Sequence, residues 1–384
     1  MHRALACIGL ASLLLANAAV ADTVQGVPFD PRQAAADSDR YAWRLFLAVN
    51  KGAGESAAAK GRSGVNGPVV WETWMNATQI FLEDGRDPGP WVEQAAGPEI
   101  ADAGRFEASS LKSLPNLRHI VDGRMVPLDD PVSEARRLTE VRMNRAAFEY
   151  VRALGLYCIE GQLAAAERVA FPPEAVEIKA HWRPVEEADR SRYHVVEVRS
   201  KAGKVRLYGL TALHIASKVL SHWFWATFEH ADNAASPKSE GWRTASRDRF
   251  ACAGPPDCGQ PPGGLGLEGT LWWNYRLRGT MTDYLDVDGK PALLANSELE
   301  SGFQLTSSCI TCHARSSIGV VDGEVVRLPV FRSVDLRSDG IERVGYVGLP
   351  GEGWFYGADR PGGPWLRPLD FVWSLSLARH RRPS

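Results

Sequence analysis

The stretch Ser308-Cys309-Ile310-Thr311-Cys312-His313 constrains this chain more than any other. Its spacing is C-x-x-C-H, the attachment signal for c-type haem. One turn of chain presents both sulfurs to one porphyrin edge, where they add across the vinyl groups. The adjacent imidazole of His313 then falls under the iron as proximal ligand. Haem is a large apolar disc, so much of the fold must be arranged to cover it. Other readings fit the same residues. Cys309 and Cys312 could form a redox-active pair or half of a zinc site completed by His313 and a distant His. A chance match in a chain with six cysteines is the third.

The compartment separates these readings, because haem is attached to such thiols outside the cytoplasm. His2 and Arg3 give a short basic start, Ala4 to Val20 is apolar and small, and Ala19-Val20-Ala21 is a cleavage site before Asp22. This is the pattern of a secretory signal peptide over residues 1–21, too short and too weakly flanked for a lasting anchor. No cysteine follows the cleavage point at once, which argues against a lipoprotein. No later stretch approaches about 18 uninterrupted apolar residues, so no membrane span is expected in the mature chain. Export to the periplasm and one covalent haem c are therefore the expectation.

The net charge is −2 and loss of Arg3 with the leader makes it −3, which gives no basis for binding nucleic acid or an anionic membrane. Thirteen Trp in 384 residues suit a wide apolar interior such as a buried haem needs, although an aromatic core without cofactor accounts for most of them equally well. Cys252 and Cys258 flank Ala-Gly-Pro-Pro-Asp and are expected to form a disulfide pinning a turn-rich loop. Cys158, between Tyr157 and Ile159, reads as a buried free thiol.

Taken in order, the mature chain begins with helical patterns. Arg40 to Val49 places Tyr41, Leu45 and Val49 on one face, and Val70 to Leu82 does the same with Trp71, Trp74, Thr78 and Phe81. A longer helix is expected from Ser133, as N-cap, to Leu154, with Gly155 as its stop and an Arg-rich wet face. Leu156 to Val169 reads as a second helix packed back on it. After Pro172-Pro173 the period changes to 2. Val176 to Arg183, Tyr193 to Val198, Lys204 to Ile215 and His222 to His230 read as strands of an antiparallel sheet, with a hairpin turn at Lys201 to Lys204 and a helix as the alternative for His222 to His230. Trp272 to Arg278 reads as another strand, and Ser297 with Glu300 as the capping box of a short helix leading to the motif. Pro368 to Ala378 fits a terminal helix or a strand. The fold class expected is α+β: N-terminal helices, a central antiparallel sheet and a haem-binding C-terminal segment. Residues 22–384 form one large domain, divisible into a helical part (22–170) and a β-rich haem part (171–384).

Several blocks together resemble a group of bacterial exported proteins with a single haem motif in the C-terminal half, described only as a cytochrome c family. They are Val70-Trp71-Glu72-Thr73-Trp74, Glu177 to Arg183, Leu213-His214-Ile215, Trp225 to Asn233, Asn274-Tyr275-Arg276-Leu277 and Ser308 to His313. The resemblance spans most of the mature chain and implies an exported monohaem protein. It supplies no substrate.

The sixth iron ligand is the open question. A small class I cytochrome c places a Met some tens of residues after its motif, but no Met follows His313, and His380 in a basic tail is the one later His. The chain is therefore not expected to carry that small module. Upstream candidates are Met281, His214 and His230, each with an ordinary structural role as the competing reading. His230 is favoured, because Glu229, Asp232 and Asn233 stand ready to orient its ring. His222 shares its face but lies far along the strand, and His181 and His194 alternate towards the wet side. Arg276 and Arg278 are candidates for the haem propionates, with surface charge as the alternative.

Two function classes follow. With both axial ligands from the protein, the chain is a periplasmic electron carrier with a redox partner in that compartment, and this is the first expectation. With an open position on iron, it is a haem enzyme using peroxide or oxygen, or a small-ligand sensor, with a pocket His as acid/base. The size of the chain favours the open site, since bare electron transfer needs far less protein. A structural or redox-thiol protein without haem is the remaining class.

Overall fold

The structure is a computed structural model and describes residues 23–24, 26–53, 67–92, 100–101, 118–121, 124–127, 139–165, 169–199, 204–235, 248–251, 260–300, 303–329, 334–337, 340–343, 345–351, 353–355 and 366–382. The leader (1–21), the Cys252–Cys258 pair and the turn residues 201–203 lie outside the described residues.

The period-2 pattern becomes an eight-stranded sheet. Its strands are β1 (Met75–Asn76), β2 (Ile100–Ala101), β3 (Thr139–Met143), β4 (Val176–Val185), β5 (Val195–Arg199), β6 (Val205–Ser217), β7 (Phe224–His230) and β8 (Tyr275–Met281). The main order is β8-β7-β6-β4-β3-β1, with β5 paired to the first half of β6 and β2 paired to β5. All these pairings are antiparallel except β2 with β5. The class is α+β, as expected. Among the described residues no helix is long and apolar enough to cross a membrane.

Alternation gives the sheet two unlike faces. One carries Ile178, Ala180 and Trp182 from β4, Leu213 and Ile215 from β6, Phe224, Ala226 and Phe228 from β7, and Tyr275 and Leu277 from β8, all buried. The α-helices among the described residues are α1 (Pro31–Ala36), α2 (Ser38–Val49), α3 (Ala77–Ile80), α4 (Arg145–Ala153), α5 (Ile159–Ala164) and α6 (Cys309–His313). Helix α2 covers the apolar face: Tyr41 of the expected stripe meets Phe224 edge-on at 4.9 Å, while beside that stripe Phe46 stacks on Phe228 at 4.4 Å and Trp43 meets Phe228 edge-on at 5.1 Å. Each such pair adds about 1 kcal/mol beyond its buried area. The other face meets α6 and the C-terminal segment.

Several local expectations are corrected. Val70 to Leu82 is not one helix: a single 3-10 turn at Val70–Thr73 leads into β1 and then α3, because Met75 and Asn76 pair with Met143 and Arg142 of β3. The long helix starts at Asn144, whose Oδ1 accepts from Ala147 N (3.1 Å) and also from Val176 N (3.0 Å), tying the cap to β4. Val141, read as helical, belongs to β3, while Ser133 and Leu138 lie outside the described residues. Gly155 does end α4, at φ +67°. The second helix is shorter, α5, capped by Cys158, which is buried and free. Leu271–Asn274 is a 3-10 turn before β8. Leu366–Pro368 (β11) pairs with Ser317–Val321 (β9), which also pairs with Glu324–Val326 (β10), and Trp373–Leu377 is a 3-10 turn.

His181 and His194 are buried rather than wet, because both sheet faces are covered. His181 Nδ1 lies 2.9 Å from Thr211 Oγ1, at the bulge between Leu210 and Ala212, and His194 Nε2 lies 3.1 Å from Glu72 Oε2.

Candidate functional site

Helix α6 carries the motif. Ser308 caps it, its Oγ accepting from Thr311 N, and Thr311 Oγ1 donates to Gly348 O at 2.7 Å. Ile310 is fully buried, whereas Cys309, Cys312 and His313 keep accessible surface. Both thiols are free. Burial pushes the Cys309 thiol well up, and the Glu300 charge adds to this. Among the described residues no three His, Cys, Asp or Glu side chains are grouped to hold a metal ion.

The His313 ring is fixed on two sides. Its Nδ1–H donates to Phe371 O at 2.7 Å, and its ring lies 4.3 Å from the Trp225 ring on β7. With Nδ1 protonated, Nε2 carries the lone pair, and it takes no hydrogen bond among the described residues. This is the tautomer and orientation that a carbonyl partner imposes on a metal-binding imidazole. Burial holds the ring neutral, lowering it to about 3, and the charges of Lys179 and His214 push the same way. Two thiols on one helical turn and an imidazole with Nε2 open are the donor set that covalent haem requires, so the residues present fit the group.

The carbonyl partner comes from a strained turn. Asp370 and Phe371 have φ of 47° and 68°, in the left-handed region, and Trp223 beside them has 63°. Each such residue costs on the order of 1–3 kcal/mol and persists where its surroundings overdetermine it. Here Asp370 accepts from Lys218 Nζ and from Phe171 N, both at 2.7 Å. Trp373 Nε1 donates to Cys312 O at 3.0 Å, and Ser374 Oγ donates to Glu177 Oε2 at 2.5 Å. The C-terminal segment thus clamps α6 from behind.

In front of α6 stands the second face of the sheet. Register aligns Lys179, His214, Thr227 and Gly279 in one row across β4, β6, β7 and β8, and Glu177, Ala216, Trp225 and Met281 in the next. The loop before α6 is bolted to these rows. Asn296 Nδ2 donates to Thr227 Oγ1 (2.9 Å), Ser297 N and Oγ donate to Glu229, and His214 Nε2–H donates to Glu300 at 3.2–3.3 Å. The expected capping box is displaced by one residue: Asn296 Oδ1 accepts from Glu298 N and Leu299 N, and Glu300 Oε2 accepts from Asn296 N, forming a turn rather than a helix. Burial would raise the Glu300 carboxyl, but His214, Lys179 and the Asn296 N–H hold it down at about 2. Burial raises Glu177 to about 7.

The three upstream ligand candidates part company here. Met281 Sδ is turned to the start of α6, accepting from Ile310 N at 3.4 Å and Ser308 Oγ at 3.5 Å. His230 lies on the opposite face of the sheet, stacked on Tyr193 at 3.7 Å, with Nε2–H donating to Arg192 O and Nδ1 accepting from Asp232 N. His214 also stands on the motif's side, with Glu300 on its Nε2. Arg276 folds back onto Trp273 O and Tyr275 O, while the Arg278 Nε lies 4.0 Å from Glu229, on the row that holds Ser297. His222 is exposed, its ring 5.3 Å from Tyr284.

Lys179, Glu177, Glu300, Trp225 and Phe371 belong to the site without having been singled out for it. Lys179 and Glu177 were visible as polar positions of an alternating strand, and Glu300 as a cap. Phe371 acts through its carbonyl, which any residue has. Comparison with protein-family models, with curated proteins and with solved structures finds no match for this chain.

Proposed function

We propose that this chain is an exported, periplasmic c-type haem protein that binds one haem and keeps its sixth coordination position open for a small ligand. The observation carrying the open position is the engagement of every upstream candidate. The Met281 sulfur faces the α6 N-terminus, His230 sits across the sheet with both ring nitrogens used, and Glu300 takes the Nε2 edge of His214. The nitrogen this leaves on His214, Nδ1, adjoins its own Cβ, and a porphyrin plane approaches it poorly.

When bound, haem supplies an iron that exchanges electrons and takes small ligands. The chain's residues hold it. Cys309 and Cys312 form the thioether links, His313 gives Nε2 to the metal, and Phe371 O raises the basicity of that ring while fixing its direction. Trp225 packs on the imidazole and excludes water from one side. Electron transfer to a redox partner is the second reading. It draws on the His214–Glu300 pair, because a carboxylate is also what orients a coordinating imidazole.

The test is the absorption spectrum of reduced protein from a haem-maturing host, with and without carbon monoxide. A Soret band and a rapid shift with the gas are expected. A Soret band indifferent to the gas would favour the six-coordinate carrier, and no Soret band would remove both readings.

A further inference from the structure

We infer that Tyr150, Trp223 and Trp225 form a one-electron route from the protein surface to the His313 ring, serving the reduction of peroxide with a phenol or hydroquinone as electron donor. The inference rests on the open-site reading above and deepens it by naming the co-reactants.

The rings stand in an unbroken line. Between ring centres, Trp225 lies 4.3 Å from His313, Trp223 6.4 Å from Trp225, Phe171 5.8 Å from Trp223 and Tyr150 4.7 Å from Phe171. Phe171, Trp223 and Trp225 are buried, while Tyr150 on α4 is half-buried and reaches water. Phe171 is too hard to oxidise to hold the charge, and its ring fills the gap between two that can. Trp223 is the member that packing does not explain. Of the fully buried indoles Trp43, Trp71, Trp182 and Trp223, the first three donate to Asp248, Asn50 and Glu140. Trp223 Nε1 is buried with no hydrogen-bond partner among the described residues, and its backbone is left-handed, at φ 63°. Both features cost stability. Phe would fill most of the same space without an unpaired N–H. What indole adds is a ring that gives up an electron readily.

The surroundings suit passage of an electron without a proton. Trp225 Nε1 donates to His222 O at 3.0 Å, and a carbonyl is too weak a base to take the proton from an oxidised indole. Trp223 has no acceptor at all, so both rings keep their N–H and are restored by an electron alone. Lys218 Nζ lies 5.8 Å from the Trp223 ring, but Asp370 matches its charge at 2.7 Å. Tyr150 differs: it loses an electron inwards and its phenol proton to solvent. It must regain both, which a phenol or hydroquinone supplies as one hydrogen atom. Hydrogen peroxide takes two electrons and two protons, its O–O bond breaks and two waters form. Two turns of the route, oxidising two donor O–H bonds, balance one peroxide.

Hydrogen peroxide added to the ferric haem protein, with freeze-quench electron paramagnetic resonance as the readout, tests the route. The parent is expected to show a tyrosyl radical that added hydroquinone erases. Tyr150→Phe and Trp223→Phe should each lose that signal while the Soret band still changes with peroxide. Both substitutions keep a ring in place, and they lie on different elements, so misfolding of one leaves the other to decide. Tyr284 is the rival exit, its ring 5.3 Å from His222, whose carbonyl holds the Trp225 indole. A tyrosyl signal undiminished in both variants, or one lost only in Tyr284→Phe, would overturn the route and leave the open site standing. A parent Soret band that peroxide leaves unchanged would overturn the open-site reading and the route with it.

Discussion

His230 is the residue whose surroundings most clearly set a protonation state. Burial lowers its pKa to about 4, with its ring pressed on Tyr193 and both nitrogens committed. The folded chain therefore keeps the ring neutral, whereas the unfolded chain protonates it near pH 6.5. Above that pH the ring leaves stability flat. As pH falls from about 6.5 towards 4 the unfolded state binds the extra proton and stability drops. Glu177 and Asp248, raised by burial to about 7 and about 6, act in the opposite sense over this range, so the informative quantity is a difference. Urea unfolding of the parent and of His230→Gln should show a destabilised variant at pH 7 whose gap to the parent closes as the pH approaches 4.5. A gap that stays constant would mean that the ring is not held neutral. The same residue shows what the sequence carried. The alternation of Phe224 to His230 was readable, but not that Asp232 reaches the ring through its backbone N, nor which face the motif would occupy. That choice is made by the 296–313 segment, through contacts separated by scores of residues.

At the scale of elements, β4, β6 and β7 were legible because long period-2 runs have few alternatives. The short elements were not. Val70 to Leu82 has a helical stripe, yet pairing of Met75 and Asn76 with β3 overrides it. Ser297 and Glu300 have capping-box spacing, yet the Ser297 hydroxyl is taken by Glu229 and Asn296 becomes the cap. Glu229 is thus the bolt between sheet and motif loop. It is fully buried, accepts from Ser297 N at 2.6 Å and from Asn233 Nδ2 at 3.2 Å, and faces Arg278 at 4.0 Å. Burial raises its carboxyl and the Arg278 charge opposes this. Glu229→Ala removes a counter-charge from buried Arg278 and the acceptor from two donors of the loop, so it should cost about 3–5 kcal/mol in chemical denaturation. Glu229→Gln keeps an acceptor for Ser297 and should cost less. A loss below about 1 kcal/mol in the alanine variant would show that the loop is held by apolar contacts instead.

For the whole molecule, one sheet supports two structures of unlike character. The face under α2 is aromatic: Trp43, Phe46 and Phe228 touch one another, and Tyr275 packs on Phe46. The other face carries a polar row and is closed by α6, residues 294–300 and 303–307 and the C-terminal clamp, two of whose residues sit in left-handed backbone. If haem is the missing occupant of that side, binding stabilises the states that form it and leaves the aromatic side almost unchanged. Cys309→Ser with Cys312→Ser, which blocks attachment, should therefore loosen the molecule unevenly. Native-state hydrogen exchange should quicken in residues 294–317 and 366–378, while α2, β6 and β7 keep their protection. The parent isolated with haem should protect both sets. Equal exchange across both sets in the double variant would mean that the two faces unfold as one unit. Identical protection with and without the thiols would mean that the motif side is complete as the chain alone builds it, and the case for a covalent cofactor would fall with it.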